Sequence, residues 1–147
     1  MEHIWSAVQP YGVVAAGAMC GAGWWVFLDA LVYSGHTAAP FAWWYCTPLA
    51  LAMLGVLLLG SVGREEDGGY YGDEGEACRG KCVLFLAYVI AFGSIGLGTT
   101  LLLVDKQRGA DLWPAASATL SATVLSASGL LLWLSRNSED SGYSIMG

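Results

Sequence analysis

Few side chains in this 147-residue chain are of types that do chemistry. Cys78-Arg-Gly-Lys-Cys82 sets two thiols one helical turn apart. Zinc takes four ligands, however, and no second Cys or His pair accompanies them. His3 and His36 stand at opposite ends of the first long apolar run, too far apart to share a metal. Glu65, Glu66, Asp67, Asp73, Glu74 and Glu76 form an acidic cluster without the alternating carboxylates and closing bidentate Glu of an EF-hand loop. It reads as a solvated, self-repelling loop. No Ser/His/Asp set, HExxH, P-loop or dinucleotide fingerprint is present. The sequence therefore assigns no catalytic residue, no metal ligand and no cofactor, with bound lipid the one small-molecule companion it accommodates. The chain reads as a non-enzyme.

Asp29 stands apart, because it interrupts an apolar run with a carboxylate. An ionisable group within a membrane span is a functional hypothesis by default. It would serve as a proton or cation site, or fix a partner helix. The blander reading places it about one turn from its helix end, hydrated at the interface. Transport would call for a second polar group in another span, and the other three spans carry no charge.

The elements that must position these residues follow from composition. Hydrophobic residues make up 56 % and charged ones 12 %, against about 25 % charged in soluble chains. Such a chain cannot coat itself for water. A net charge of −6 argues against nucleic acid, whose phosphates need a basic face. A bilayer core of about 30 Å takes roughly 20 apolar residues of helix. Four stretches qualify: Gly12–Tyr33, Phe41–Val62, Cys82–Val104 and Leu112–Leu134. The expected fold is an all-α membrane protein, with four transmembrane helices in an up-down-up-down bundle.

Around this domain (residues 12–134) lie an N-terminal interfacial segment, 1–11, and a polar tail, 135–147. Ser34–Pro40 and Asp105–Asp111 read as tight hairpins, and 63–81 as a longer acidic, Gly-rich loop. Trp43, Trp44, Tyr45, Trp113 and Trp133 sit where aromatic belts form, and Trp5 and Tyr11 suit the interface. Trp24 and Trp25 lie too deep for that role, so at least one ring is expected against protein or ligand. Arg64, Arg79, Lys81 and Arg136 outnumber Lys106 and Arg108 across the bundle, which puts both termini on the cytosolic or matrix side. No basic n-region marks a cleavable signal.

Small residues are the remaining pattern. Gly17 and Gly21 make a GxxxG, Gly93 lies in a Gly-rich third span, and Ala118 and Ala122 belong to a fourth span that is small nearly all round. Helices in lipid associate by close backbone approach and hydroxyl bonding. One bundle would not use every side of such a helix, so a second integral membrane protein is expected there. Cys78 and Cys82 occupy a juxtamembrane position suited to reversible acylation. Tyr143 and Met146 match a short Tyr-x-x-apolar sorting signal.

Two stretches resemble a known family. Gly23-Trp-Trp-Val-Phe-Leu-Asp29-Ala looks like the G-W-W-x-x-x-D-A signature of the transmembrane-protein-50 / vacuolar-sorting-protein-68 family of small tetraspans. Leu84-Phe-Leu-Ala-Tyr-Val-Ile-Ala-Phe-Gly93-Ser94 is similar to that family's L-F-x-x-x-x-x-x-F-G-S stretch. The resemblance spans roughly Ala7 to Arg136. It implies a tetraspan with cytosolic termini and no known enzymatic activity, in endosomal or late secretory membranes beside another small tetraspan. By the same resemblance Gly23, Trp24, Trp25, Asp29, Gly93 and Ser94 are packing and partner-recognition positions. The acidic central loop and Ala/Ser-rich fourth span depart from the family pattern.

Two functions follow. One is a non-enzymatic scaffold or partner protein in endosomal or late secretory trafficking, working in a hetero-oligomeric complex with other integral membrane proteins. The other is an accessory subunit of a large respiratory, photosynthetic or ATPase assembly in an organelle inner membrane.

Overall fold

A computed structural model describes residues 11–37, 41–65 and 74–143, with side chains over 11–37, 41–61 and 78–135. The interfacial segment expected over 1–11 thus lies outside the described residues except for Tyr11. Residues 66–73 of the acidic loop, Met146 and the Tyr143 side chain lie outside them as well.

Four helices carry the chain: α1 (Gly12–His36), α2 (Cys46–Glu65, led in by a 3-10 turn at Trp43–Tyr45), α3 (Glu74–Arg108) and α4 (Trp113–Tyr143). Each contains a stretch long and apolar enough to cross a membrane, and no strand occurs among the described residues. The protein is a multi-pass, all-α membrane protein. The helices overrun the apolar runs that predict them. α1 continues to His36, α3 begins at Glu74 and ends at Arg108, and α4 extends to Tyr143. Hydropathy marks where hydrocarbon ends, whereas backbone hydrogen bonding continues through any residue with adequate helix propensity. The stretches expected as hairpins and as a 63–81 loop are accordingly helical at their edges.

Helix ends follow local chemistry. Pro48 and Pro114 fall in first turns, where their missing N–H groups have no intrahelical acceptor to lose. α3 stops at Gly109, whose φ is +67°. There Gly109 N–H donates to Lys106 O and Ala110 N–H to Asp105 O at 3.1 Å, the paired bonds of a Schellman cap.

α4 is the hub, touching all three other helices. Half of its spanning stretch is buried, against 22 % for α1 and for α3. It runs antiparallel to α1: Gly12 lies at Ser135, and Gly23 lies against Leu125 and the Ser121 carbonyl. It runs antiparallel to α3, with Gly98 against Thr119 and Tyr88 edge-on to Trp133 at 6.5 Å. Gly129 packs on Val56 and Leu59 of α2. One buried cluster joins Phe27, Leu49, Ala52, Ala122 and Leu125, and a second joins Tyr45, Ala115 and Ala118.

Hydroxyls make this possible in an apolar interior. Ser117 donates to Pro114 O, Thr119 to Ala115 O, Ser121 to Ser117 O and Ser128 to Leu125 O. Bonded back to their own helix, these side chains pack as small, self-satisfied groups. The buried oxygens of Ser34, Ser126 and Ser135 have no such partner.

Candidate partner-docking face

Ala118 and Ala122 are fully buried against the protein's own helices. The second protein expected to cover the fourth span is not needed there: one bundle does use its small residues, because three helices converge on it. Surface that the bundle leaves uncovered lies elsewhere.

α1 supplies it. Its inner side, with Gly12, Ala16, Gly23, Phe27, Ala30 and Ser34, is buried. Gly17, Gly21, Trp25 and Asp29 follow one another at four-residue steps, and all four are exposed. Residues at i and i+4 are neighbours on a helix surface, so the four form one oblique row across its outward side. A Cβ at Gly17 or Gly21 would meet nothing within 4 Å. The row is a shallow groove of two glycines, then an indole ring 75 % exposed at Trp25, then a carboxylate.

The position of that carboxylate differs from the expected one. With α1 ending at His36, Asp29 lies two turns in, about 10 Å from the helix end by the helical rise. The 25 residues of α1 span about 37 Å, so a centred bilayer core puts Asp29 roughly 7 Å inside the hydrocarbon boundary. No group among the described residues pairs with its side chain.

Trp24 is exposed as well but reaches the edge of the buried side. Its ring stands edge-on to Phe27 at 6.4 Å. From there Phe27 meets Phe41 at 5.9 Å, and Phe41 meets Tyr45 at 5.6 Å. Tyr45 Oη donates to Asp105 Oδ2 at 2.6 Å in a buried bond. A ring-to-ring path thus joins Trp24 to a polar latch between the start of α2 and the last turn of α3. Asp105, expected in a solvent-facing hairpin, is helical and only 7 % exposed. The available sign was a Tyr opening one span and an acid closing the next, since antiparallel neighbours bring those ends together.

Other predicted positions divide. Ser94 is fully buried and donates to Ala91 O at 2.7 Å, which makes it a packing residue. Gly93 faces open space. Cys78 and Cys82 are free and exposed on the first turns of α3. The described residues bring no three His, Cys, Asp or Glu side chains together as a metal site.

Comparison with known proteins covers nearly the whole chain. A family model described as "Uncharacterised protein family (UPF0220)" matches residues 3–142. The chain is 26 % identical to vacuolar protein sorting-associated protein 68 of Saccharomyces cerevisiae, over 90 % of this chain and 84 % of that one. It is 27 % identical to a UPF0220 protein of Schizosaccharomyces pombe, over 88 % and 82 % respectively. It is 26 % identical to a transmembrane protein 50 homolog of Dictyostelium discoideum, over 92 % and 96 %. No solved structure matches.

Proposed function

The chain belongs to the UPF0220 family, and from that premise we propose that it is a non-enzymatic partner protein of endosomal or late secretory membranes. Its work is to bind another integral membrane protein through the outward side of α1. The observation that carries this reading is the Gly17–Gly21–Trp25–Asp29 row, exposed within a spanning helix. A carboxylate at the centre of a spanning helix opposes membrane insertion by about 3 kcal/mol, and at the shallower depth of Asp29 a smaller part of that penalty applies. A partner helix that brings a cation or hydrogen-bond donor to that depth relieves the penalty, and the two glycines let its backbone approach closely.

A second copy of the chain is a poor occupant. A two-fold axis along the membrane normal would set Asp29 against Asp29, and the four apolar runs contain no Lys or Arg to answer it. The occupant is a transmembrane helix of a different protein, with Lys, Arg or a side-chain amide opposite Asp29. The sorting name of the yeast relative supports the trafficking compartment. The accessory-subunit reading loses one of its supports, since most small residues of α4 are used within the chain.

The test is recovery of the tagged full chain in mild detergent, alongside its localisation by microscopy. Membrane proteins of sorting compartments should co-purify, and Asp29→Leu or Gly17→Leu/Gly21→Leu should lower their recovery severalfold. Stoichiometric recovery with an energy-transducing complex would sink the proposal. So would undiminished recovery with both variants.

A further inference from the structure

Independently of the α1 face, the structure assigns Cys78 and Cys82 as acceptors for long-chain S-acylation. The argument starts with the length of α3. Its 35 residues rise about 52 Å, well beyond a core of about 30 Å. The N-terminal turns therefore stand in the headgroup region, and the uninterrupted apolar run begins with Cys82 and Val83.

Both thiols are free and exposed, and no helix among the described residues covers them. They also lie on a particular side of α3. Cys78, Cys82, Phe85, Val89, Phe92 and Gly96 follow one another in alternating steps of four and three residues, and all six are exposed. Such steps keep to one side of a helix. The thiols therefore open a continuous apolar stripe that the bundle leaves to lipid, with Phe85 71 % and Phe92 69 % exposed. From Cys82 to Phe92 the helix rises about 15 Å, half of a 30 Å core and so the depth of one leaflet. A fatty chain tied to either sulfur lies down along Phe85 and Val89 without leaving its own leaflet.

Charge places the reaction. Exposed Arg79 and Lys81 lie between the thiols, and with Arg64 and Arg136 they outnumber Lys106 and Arg108 at the opposite boundary, an excess that favours the cytosolic side, where acyl-coenzyme A is found. The step needs no redox partner. The cysteine sulfur attacks the thioester carbonyl of a long-chain acyl-coenzyme A, a new C–S bond forms, the bond to coenzyme A breaks, and coenzyme A leaves carrying the thiol proton. A membrane acyltransferase supplies the catalysis. Two acyl chains would coat the outer side of α3 and leave α1 as the side open to a protein helix.

Cys20 and Cys46 serve as internal controls, since both are partly buried against the Phe27 cluster. The full chain is expressed in a eukaryotic cell, and its free thiols are blocked. Thioesters are then cleaved with neutral hydroxylamine, and the released thiols are coupled to a mass tag. The full chain should shift in up to two steps, Cys78→Ser and Cys82→Ser each removing one and the double variant removing both. Cys20→Ser should change nothing. Absence of any hydroxylamine-dependent shift overturns the assignment, as does a shift that persists in the double variant.

Discussion

Two parts of the bundle carry the same kind of sequence and do opposite things with it. Ala118 and Ala122 on α4 and Gly17 and Gly21 on α1 are both pairs of small residues one turn apart. The α4 pair is sealed inside, where α1, α2 and α3 converge. The α1 pair touches no other helix among the described residues. Two acids, one on α3 and one on α1, repeat the contrast. Asp105 on α3 is buried and accepts a hydrogen bond from Tyr45, whereas Asp29 on α1 is exposed and has no partner among the described residues. A small residue or an acid in a span states only that something must come close; topology decides whether that something is in the same chain.

The contrast breaks most visibly on enlarging each pair. Ala118→Leu with Ala122→Leu forces extra carbons into fully occupied positions, and overpacking costs typically 1–3 kcal/mol per site. The sum is a large share of the roughly 5–15 kcal/mol that holds a domain folded. Thermal unfolding in detergent should show a large fall in Tm, or no folded protein at all. Gly17→Leu with Gly21→Leu should melt like the unaltered chain. Equal melting of both double variants would mean that α4 is not the hub.

The two carboxylates provide the next, smaller contrast. Tyr45→Phe keeps the ring in its aromatic contacts and removes the one donor that Asp105 has from a neighbouring helix. Leaving a buried acceptor unsatisfied costs about 1–3 kcal/mol, so the melting temperature should fall measurably. Asp29→Leu should leave it level or raise it, because no internal bond is lost and a penalty of insertion is removed. If Asp29→Leu destabilises the isolated chain as much as Tyr45→Phe does, Asp29 is an internal structural residue and the outward row is not a docking surface.

These outcomes also mark what the sequence could and could not say. Four spans were legible because every residue in lipid reports its environment through its own hydropathy, and Lys106 and Arg108 after one apolar run and Arg64 after another mark the exits. The GWWxxxDA run stood out as a unit, and within it Gly23 packs on Leu125 and Trp24 on Phe27. Direction was not legible. Hydrophobicity is nearly uniform around a membrane helix, so the periodicity that tells core from surface in a soluble protein is missing. Nothing local distinguishes Gly23, packed on Leu125, from Gly21, open to the outside. Asp105 was misplaced for a related reason: a charge near a span end reads as solvent-facing, and only the pairing of α2 with α3 reveals the phenol waiting for it.

The finest contrast is a single carbon. Gly98 and Gly21 both become Ala at little change in composition. At Gly98 the added Cβ would stand 3.0 Å from the Thr119 Cα and Oγ1, and the first of these is backbone that cannot swing aside. α3 and α4 would have to part slightly along their contact, losing dispersion on both sides of it. A loss of about 1 kcal/mol is expected, read as a modest drop in Tm with partner recovery reduced no further than the unfolding explains. At Gly21 the Cβ enters open space, and Ala is the better helix former by up to about 1 kcal/mol. The chain alone should be unharmed, yet a partner helix seated in the Gly17–Gly21 groove would be held off by that methyl. Recovery of the partner should therefore fall while stability does not, the reverse of the pattern at Gly98. Identical behaviour of the two alanines in both assays would remove the distinction between inside and outside glycines on which the docking face depends.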